Sequence, residues 1–224
     1  MAYQLIIGNR TYSSWSLRAW LLFGAFGIDV EQRLVPLYSD AFDAFRREFH
    51  PARQVPTLLL RDSAGSTLVW DSLAIAELLH ERHPDAGIWP AAAPARAAAR
   101  SLCAEMHSGF TALRATMPMN LRRQYASFRP GAAARADIAR VCELWQWART
   151  NWGDGGPYLF GAGFTAADAF FAPVACRFAT YAVALEGPAR DYAQALLTHP
   201  ATAAFQAAAQ AETWVMAHNE FDER

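Results

Sequence analysis

The 224-residue sequence lacks most marks of a secreted, membrane-spanning or metal-binding protein. It has three cysteines, Cys103, Cys142 and Cys176, far apart and odd in number. With no CxxC pair and no metal-ligand spacing, they read as free buried thiols in a reducing compartment. The six histidines show no metal spacing either. Neither sign of charge dominates: 20 Lys+Arg face 21 Asp+Glu, a formal net charge of −1. So balanced a chain is not expected to bind nucleic acid or an anionic membrane surface as its main task. The N-terminus has no basic region followed by an apolar core, because Arg10 and Arg18 interrupt any such pattern. The longest uncharged run, Tyr192 to Ala211, carries Gln194, Thr198, His199, Pro200, Thr202 and Gln206. It therefore reads as two helices broken at Pro200, not as a membrane span. The cytoplasm is the expected location.

What the sequence does have is core-forming material: 53% of residues are hydrophobic and 13% aromatic, which excludes a disordered chain. Tyr3 to Gly8 is a short apolar run that suggests a buried strand. Ser16 to Gly27 reads as a helix, apolar almost all round, with Gly27 as its stop. Gln32 to Leu37 suggests a second strand. Ser39 to Phe49 suggests a helix with Phe42, Phe45 and Phe49 on one side. Pro56 to Leu60 and Thr67 to Trp70 flank the turn residues Asp62 to Gly65, a β-hairpin pattern. Ser72 to His83 reads as a helix with Leu73, Ala76, Leu78 and Leu79 inward. The order is β-α-β-α-β-β-α. Prolines and a glycine then mark a linker at 84–93. From 94 to 224 the patterns are Ala-rich and helical, punctuated by Pro118, Pro130, Pro157, Pro188 and Pro200. An α/β domain over 1–83 followed by an all-helical domain is expected, both of ordinary domain size.

Three places along the first domain could carry chemistry. Asn9 to Ser16 is a loop opening a helix, rich in hydroxyls. Such hydroxyls cap free backbone N–H groups. The same N-terminus also stabilises an anion, including a thiolate, whose parent thiol ordinarily titrates at ~8.5. Gln54, Val55, Pro56 and Thr57 enter a strand. A cis Val55–Pro56 bond would turn the Val55 backbone outward toward an extended peptide ligand, whereas a trans bond would simply open an edge strand. Asp71 and Ser72 begin another helix, either as caps or as a holder for a ligand's carboxylate and ammonium groups. The six histidines include His50, ahead of Pro51, which reads as a turn residue.

These three places, in this order, resemble a cytosolic glutathione transferase of the serine type over nearly the whole chain. Ser13 to Arg18, Gln54 to Pro56 and Asp71 to Ala74 are similar to the zeta class, which contains maleylacetoacetate isomerase. Gly161 to Asp168 resembles the family's capping box, so Thr165 and Asp168 are assigned to folding. The resemblance implies a thioredoxin-like first domain, glutathione as co-substrate, no metal, and a homodimer. By it, Ser13 hydrogen-bonds the glutathione sulfur, with Ser14 second and Tyr12 third. Val55 pairs with the cysteinyl backbone beside Pro56. Asp71 and Ser72 hold the γ-glutamyl end, and Gln54 and, more weakly, Arg53 lie near the glycyl portion. Two departures weaken the isomerase reading. Trp15 stands where zeta members have Cys, and Thr180 stands where they carry an Arg seven residues after the helix proline, Arg177 being the nearest. No Cys lies at 12–16, which argues against thiol-transferase chemistry.

The electrophile site in this architecture lies between the domains. Leu102, Met106, Leu113 and Met117 recur at helical spacing and read as core. His107 and Arg114, seven apart, would share one helix face. They form either a solvated surface or the wall of a pocket favouring an acidic substrate. Trp15, Phe110, Phe178, Tyr181 and Arg177 are further candidates. Exposed-looking Trp145, Trp147 and Trp152 hint at a dimer surface. The leading expectation is an enzyme joining the glutathione thiolate to a small electrophile. The alternatives are a non-catalytic ligand carrier or regulator on the same fold, and a glutathione-dependent isomerase or dehalogenase that recycles the thiol.

Overall fold

A computed structural model describes residues 2–221. It begins with β1 (Ala2–Ile7), α1 (Ser14–Gly24), β2 (Glu31–Leu34) and α2 (Asp40–Glu48). β3 (Thr57–Asp62), β4 (Gly65–Val69) and α3 (Ser72–Arg82) follow, the order expected. The sheet order is β2-β1-β3-β4, with β1 and β2 parallel and the other two pairings antiparallel. After a 3₁₀ turn at Pro84–Ala86, the remaining regular elements are helices. They are α4 (Ala93–Ser108), α5 (Thr111–Thr116), α6 (Ala132–Trp152), α7 (Ala166–Thr180), α8 (Gly187–Thr198) and α9 (Pro200–Gln210). A second 3₁₀ turn, Ala217–Asn219, lies in the C-terminal segment. No helix among the described residues is long and apolar enough to cross a membrane.

Alternation along β1 sets the two faces of the sheet. Leu5 and Ile7 join the large core, while Ile6 points to the other side. There Phe42, Phe45 and Phe49 cover it with Val35 and Ala52, so α2 lies on the face predicted from its three phenylalanines. Each such ring contributes roughly 1.5–3 kcal/mol by burial. On the opposite face α1 is enclosed: Leu17, Ala19, Leu21, Leu22 and Phe23 are all buried. This explains its apolar residues all round, since α7 and α9 pack on it from beyond the sheet.

Several local expectations are corrected. α1 ends at Gly24, and Gly27 lies in the following turn with φ +64. The second strand stops at Leu34, short of Leu37. In α3 the buried apolar residues are Ile75, Ala76 and Leu79, while Leu73 and Leu78 are half-buried, because the helix meets the core on the Ile75 side. Trp145 is fully buried against Phe171, Phe178 and Tyr192, so of the three tryptophans only Trp147 is well exposed. Cys103 and Cys176 are buried free thiols, but Cys142 is only half-buried.

Thr165 and Asp168 form the expected capping box at the start of α7. Asp168 is completely buried. Its Oδ2 accepts from the Thr165 N–H and hydroxyl, both at 2.8 Å. Its Oδ1 accepts from the Leu159 N–H at 3.2 Å and the Tyr192 hydroxyl at 2.8 Å. Burial raises the Asp168 carboxyl, opposed by these bonds. Asp168→Ala would strand several buried donors at once. Each costs about 1–3 kcal/mol, so a loss of at least ~3 kcal/mol is expected in urea unfolding.

Candidate active site

The loop from β1 to α1 is short and heavily tied. Ser13 N–H donates to the Asn9 carbonyl at 2.8 Å, and Asn9 Oδ1 accepts from the Leu37 N–H at 2.9 Å. Ser13 caps α1, its Oγ accepting from the Ser16 N–H at 3.3 Å. Ser16 Oγ accepts from the Gly8 N–H at 2.9 Å and lies 2.8 Å from Ser13 Oγ. Either hydroxyl of this pair can be the donor; where Ser16 donates, Ser13 Oγ accepts twice and its own proton is left for a ligand. Ser13 lines two adjoining cavities.

The first cavity, about 500 Å³, is walled by Ser13, Trp15, Gln54, Val55, Pro56 and Asp71 together with Leu37, Tyr38, Phe42, Arg46, Trp70 and His107. Its size is within the ~300–1,000 Å³ usual for small-molecule sites. The Val55–Pro56 bond is cis. Neither the N–H nor the C=O of Val55 is taken by another described residue. Asp71 caps α3, Oδ1 accepting from the Leu73 N–H at 3.2 Å. Its Oδ2 lies 3.2 Å from His107 Nε2. Ser72 stands behind this wall: it is fully buried, its hydroxyl has no described partner, and it does not line the cavity. Arg53 does not line it either. The cation that does is Arg46, whose guanidinium lies 4.6 Å over Phe42 and whose Nε donates to the Arg53 carbonyl.

The second cavity, about 620 Å³, shares Ser13, Trp15 and His107 with the first and adds Ser14, Arg114 and Arg177. Ser14 Oγ accepts from Arg177 Nη2 at 3.1 Å, so its hydroxyl belongs to this side. Arg177 is buried and also donates to the Met117 and Pro173 carbonyls. Burial, then Arg114, lowers its pKa to about 10. Arg18 lies deeper, with Nε and Nη1 unpartnered. Burial, then Arg114 and Arg177, lowers it to about 9. The Arg18 and Arg114 guanidiniums both lie over the Trp15 indole, at 4.4 and 4.5 Å. These cation–π contacts offset part of the missing hydrogen bonding. Arg114 and Arg177 thus line one cleft with Arg18 buried against Trp15, and none of the three makes an ion pair with a described residue.

His107 and Arg114 do not share a helix face. The chain breaks at Gly109 and Phe110, the latter at φ +57, and the two residues sit on α4 and α5. They still meet: Arg114 Nη1 donates to the His107 carbonyl at 3.0 Å, and the His107 ring meets Trp15 edge-on at 5.0 Å. Phe110, Phe178 and Tyr181 pack into the core and line neither cavity. Tyr12 is removed from contention for the sulfur. Its hydroxyl donates to Glu220 at 2.5 Å and accepts from Arg122 at 2.9 Å. Met216 and His218 of the C-terminal segment also line the second cavity, and Glu212 accepts from the Arg10 and Thr11 N–H groups. No sequence periodicity points to that segment, since its contacts are made across two hundred residues.

Residues 12–82 match the family model described as glutathione S-transferase, N-terminal domain. That match spans about a third of the chain and makes this segment similar to a glutathione S-transferase N-terminal domain. The whole chain has the glutathione transferase fold. The maleylacetoacetate isomerase of Anaeromyxobacter dehalogenans 2CP-1, solved with glutathione in its active site, is 28% identical, with TM-score 0.67, covering 91% of this chain and 94% of that one. The same enzyme with bound dicarboxyethyl glutathione and citrate is 27% identical, with TM-score 0.69, covering 96% and 98%. A glutathione transferase homolog from Burkholderia gl BGR1, solved with bound glutathione, shares the fold at 23% identity and TM-score 0.70, covering 94% and 99%. A curated relative, "Probable maleylacetoacetate isomerase" of Caenorhabditis elegans, is 33% identical over 104 residues. That stretch is 46% of this chain and 46% of the relative, so the chain matches just under half of that protein's length.

With Tyr12 held by Glu220 and Arg122, Tyr12→Phe is expected to lower stability by about 1 kcal/mol. Thermal unfolding checks this.

Proposed function

We propose that this protein is a glutathione transferase that binds glutathione in the first cavity and presents its thiolate to an electrophile in the second. The observation that carries this reading is the hydroxyl of Ser13. It sits at the junction of both cavities and at the N-terminus of α1, and with Ser16 as the donor in their pair its proton is left for the sulfur. A thiolate there accepts that hydrogen bond and meets the positive end of the helix. Both effects favour the charged form and lower the thiol pKa. Solvent takes the proton, and the sulfur lone pair attacks the electrophilic carbon as its leaving group departs. The open Val55 peptide groups suit the cysteinyl backbone. Asp71, at the start of α3, suits the γ-glutamyl ammonium, and Arg46 and Gln54 suit the glycyl carboxylate. Ser14 faces the electrophile side.

The clustered guanidiniums favour an electrophile carrying carboxylate groups. Burial first, and then repulsion among the guanidiniums, lowers Arg18 and Arg177, and an anion entering the second cavity beside Arg114 and Arg177 would relieve the second of these. This cluster also supports a second reading, a glutathione-dependent isomerase acting on an unsaturated dicarboxylate, in which the thiol adds and is then expelled. The Anaeromyxobacter isomerase, solved with a dicarboxyethyl thioether of glutathione, lends it weight. Whether glutathione is consumed separates the two. A cytoplasmic homodimer completes the proposal, to be checked by sedimentation.

Ser13→Ala removes the donor, so the thiol pKa of bound glutathione should rise toward its free value by about one unit or more. The fraction of thiolate at neutral pH should fall about tenfold. A titration curve of thiolate absorbance that coincides with wild type would reduce Ser13 to a cap. Arg114→Ala should raise KM about tenfold for a carboxylate-bearing electrophile, the worth of one charged hydrogen bond. For a neutral aryl halide, KM should stay within about twofold. Unchanged kcat/KM on every substrate would remove the anionic pocket from the reading.

A further inference from the structure

Among the described residues, His107 is the one from the helical domain that touches the carboxylate assigned above to glutathione's γ-glutamyl end. It comes from the last turn of α4, across the domain boundary, and places Nε2 3.2 Å from Asp71 Oδ2. Asp71 is about half exposed, its side chain 46% accessible, and projects into the first cavity. The Leu73 N–H fixes only Oδ1, which leaves rotation of the carboxylate free unless Oδ2 is also held. His107 supplies that second hold, and Trp15 meets its ring edge-on.

The protonation of His107 matters to what the hold does. Burial lowers its pKa, and the Arg18 and Arg114 guanidiniums lower it further, against the pull of Asp71. Nδ1 is buried and unpartnered. A neutral ring with its proton on Nε2 donates to the carboxylate; the other tautomer would turn a lone pair onto it. An arginine at this position would also orient Asp71, but it would cancel the charge that a ligand's ammonium needs. A neutral imidazole orients the carboxylate and leaves that charge in place. Each carboxylate oxygen offers two acceptor sites, so one on each side stays available to a ligand.

We propose that His107 is a positioning residue for the glutathione subsite: it holds Asp71 in the rotamer that receives the γ-glutamyl ammonium, and so makes α4 of the helical domain part of first-substrate recognition. The inference rests on the glutathione reading above. It predicts a loss specific to the ammonium group, because His107 acts through Asp71 alone.

The test is calorimetric titration of wild type, His107→Ala and His107→Gln with glutathione and with glutaryl-cysteinyl-glycine, which lacks the ammonium. His107→Ala is expected to weaken glutathione binding about tenfold and to leave the glutaryl analogue within about twofold. His107→Gln, whose amide N–H can reach the same oxygen, should recover most of the loss. Wild-type affinity for glutathione in His107→Ala overturns the inference. So does an equal loss for both ligands, which would mark a merely structural role. If His107→Ala does not fold, His107→Gln decides: losing glutathione affinity as fully as it loses the analogue's overturns the inference, and keeping both supports it. Failure of wild type itself to bind glutathione overturns the parent reading instead, and is seen before any variant is measured.

Discussion

Everything at the two cavities depends on where α1 starts, and α1 has no freedom to start elsewhere. The sheet lies on one side of it and α7 and α9 on the other, with Leu17, Leu21, Leu22 and Phe23 at zero exposure. Its first turn is pinned by the hydroxyl pair of Ser13 and Ser16 and by the Gly8 N–H at the end of β1. A helix buried on all sides holds its exposed N–H groups as rigidly as the core itself. That rigidity is what an anion-stabilising site needs, because dipoles that need not reorient cost nothing at the moment of reaction.

The same burial explains which parts of the fold could be read from the sequence. β1 and the phenylalanine face of α2 are local patterns with strong periodicity, and they stand where the sequence places them, while α1 is present but shifted to Ser14–Gly24. Ser13, Val55 and Asp71 each open or precede an element, where turn and cap chemistry is constrained, and all three line the first cavity. Ser72, Arg53 and Phe110 were misplaced relative to the cavity walls for a common reason. Sequence spacing tells which residues are near one another along an element, but not which way the wall is cut. Ser72 turned inward at α3, Arg46 took the place given to Arg53, and the break at Gly109 redirected Phe110 into the core.

The guanidinium cluster was the least legible feature. Arg18, Arg114 and Arg177 come from three helices far apart in the chain, and each alone looks like an ordinary surface or structural arginine. Only packing brings Arg18 and Arg114 onto Trp15 and sets Arg177 in the same cavity as Arg114, with no described carboxylate in ion-pair contact with any of them. Trp15, which departs from the zeta-like pattern, acquires a physical role here: its π face accommodates two cations where a cysteine could not.

The loop that carries Ser13 is also fastened at its near end to residues far downstream. The Arg10 and Thr11 N–H groups donate to Glu212, and Tyr12 is held between Glu220 and Arg122, which also donates to the Glu212 carbonyl. During synthesis the sheet and its covering helices can collapse as soon as the first third of the chain has emerged. The flank of the hydroxyl at the head of α1 is completed only once residues 212 and 220 have been made and packed. The shape of this loop is therefore fixed by a segment about two hundred residues downstream of it.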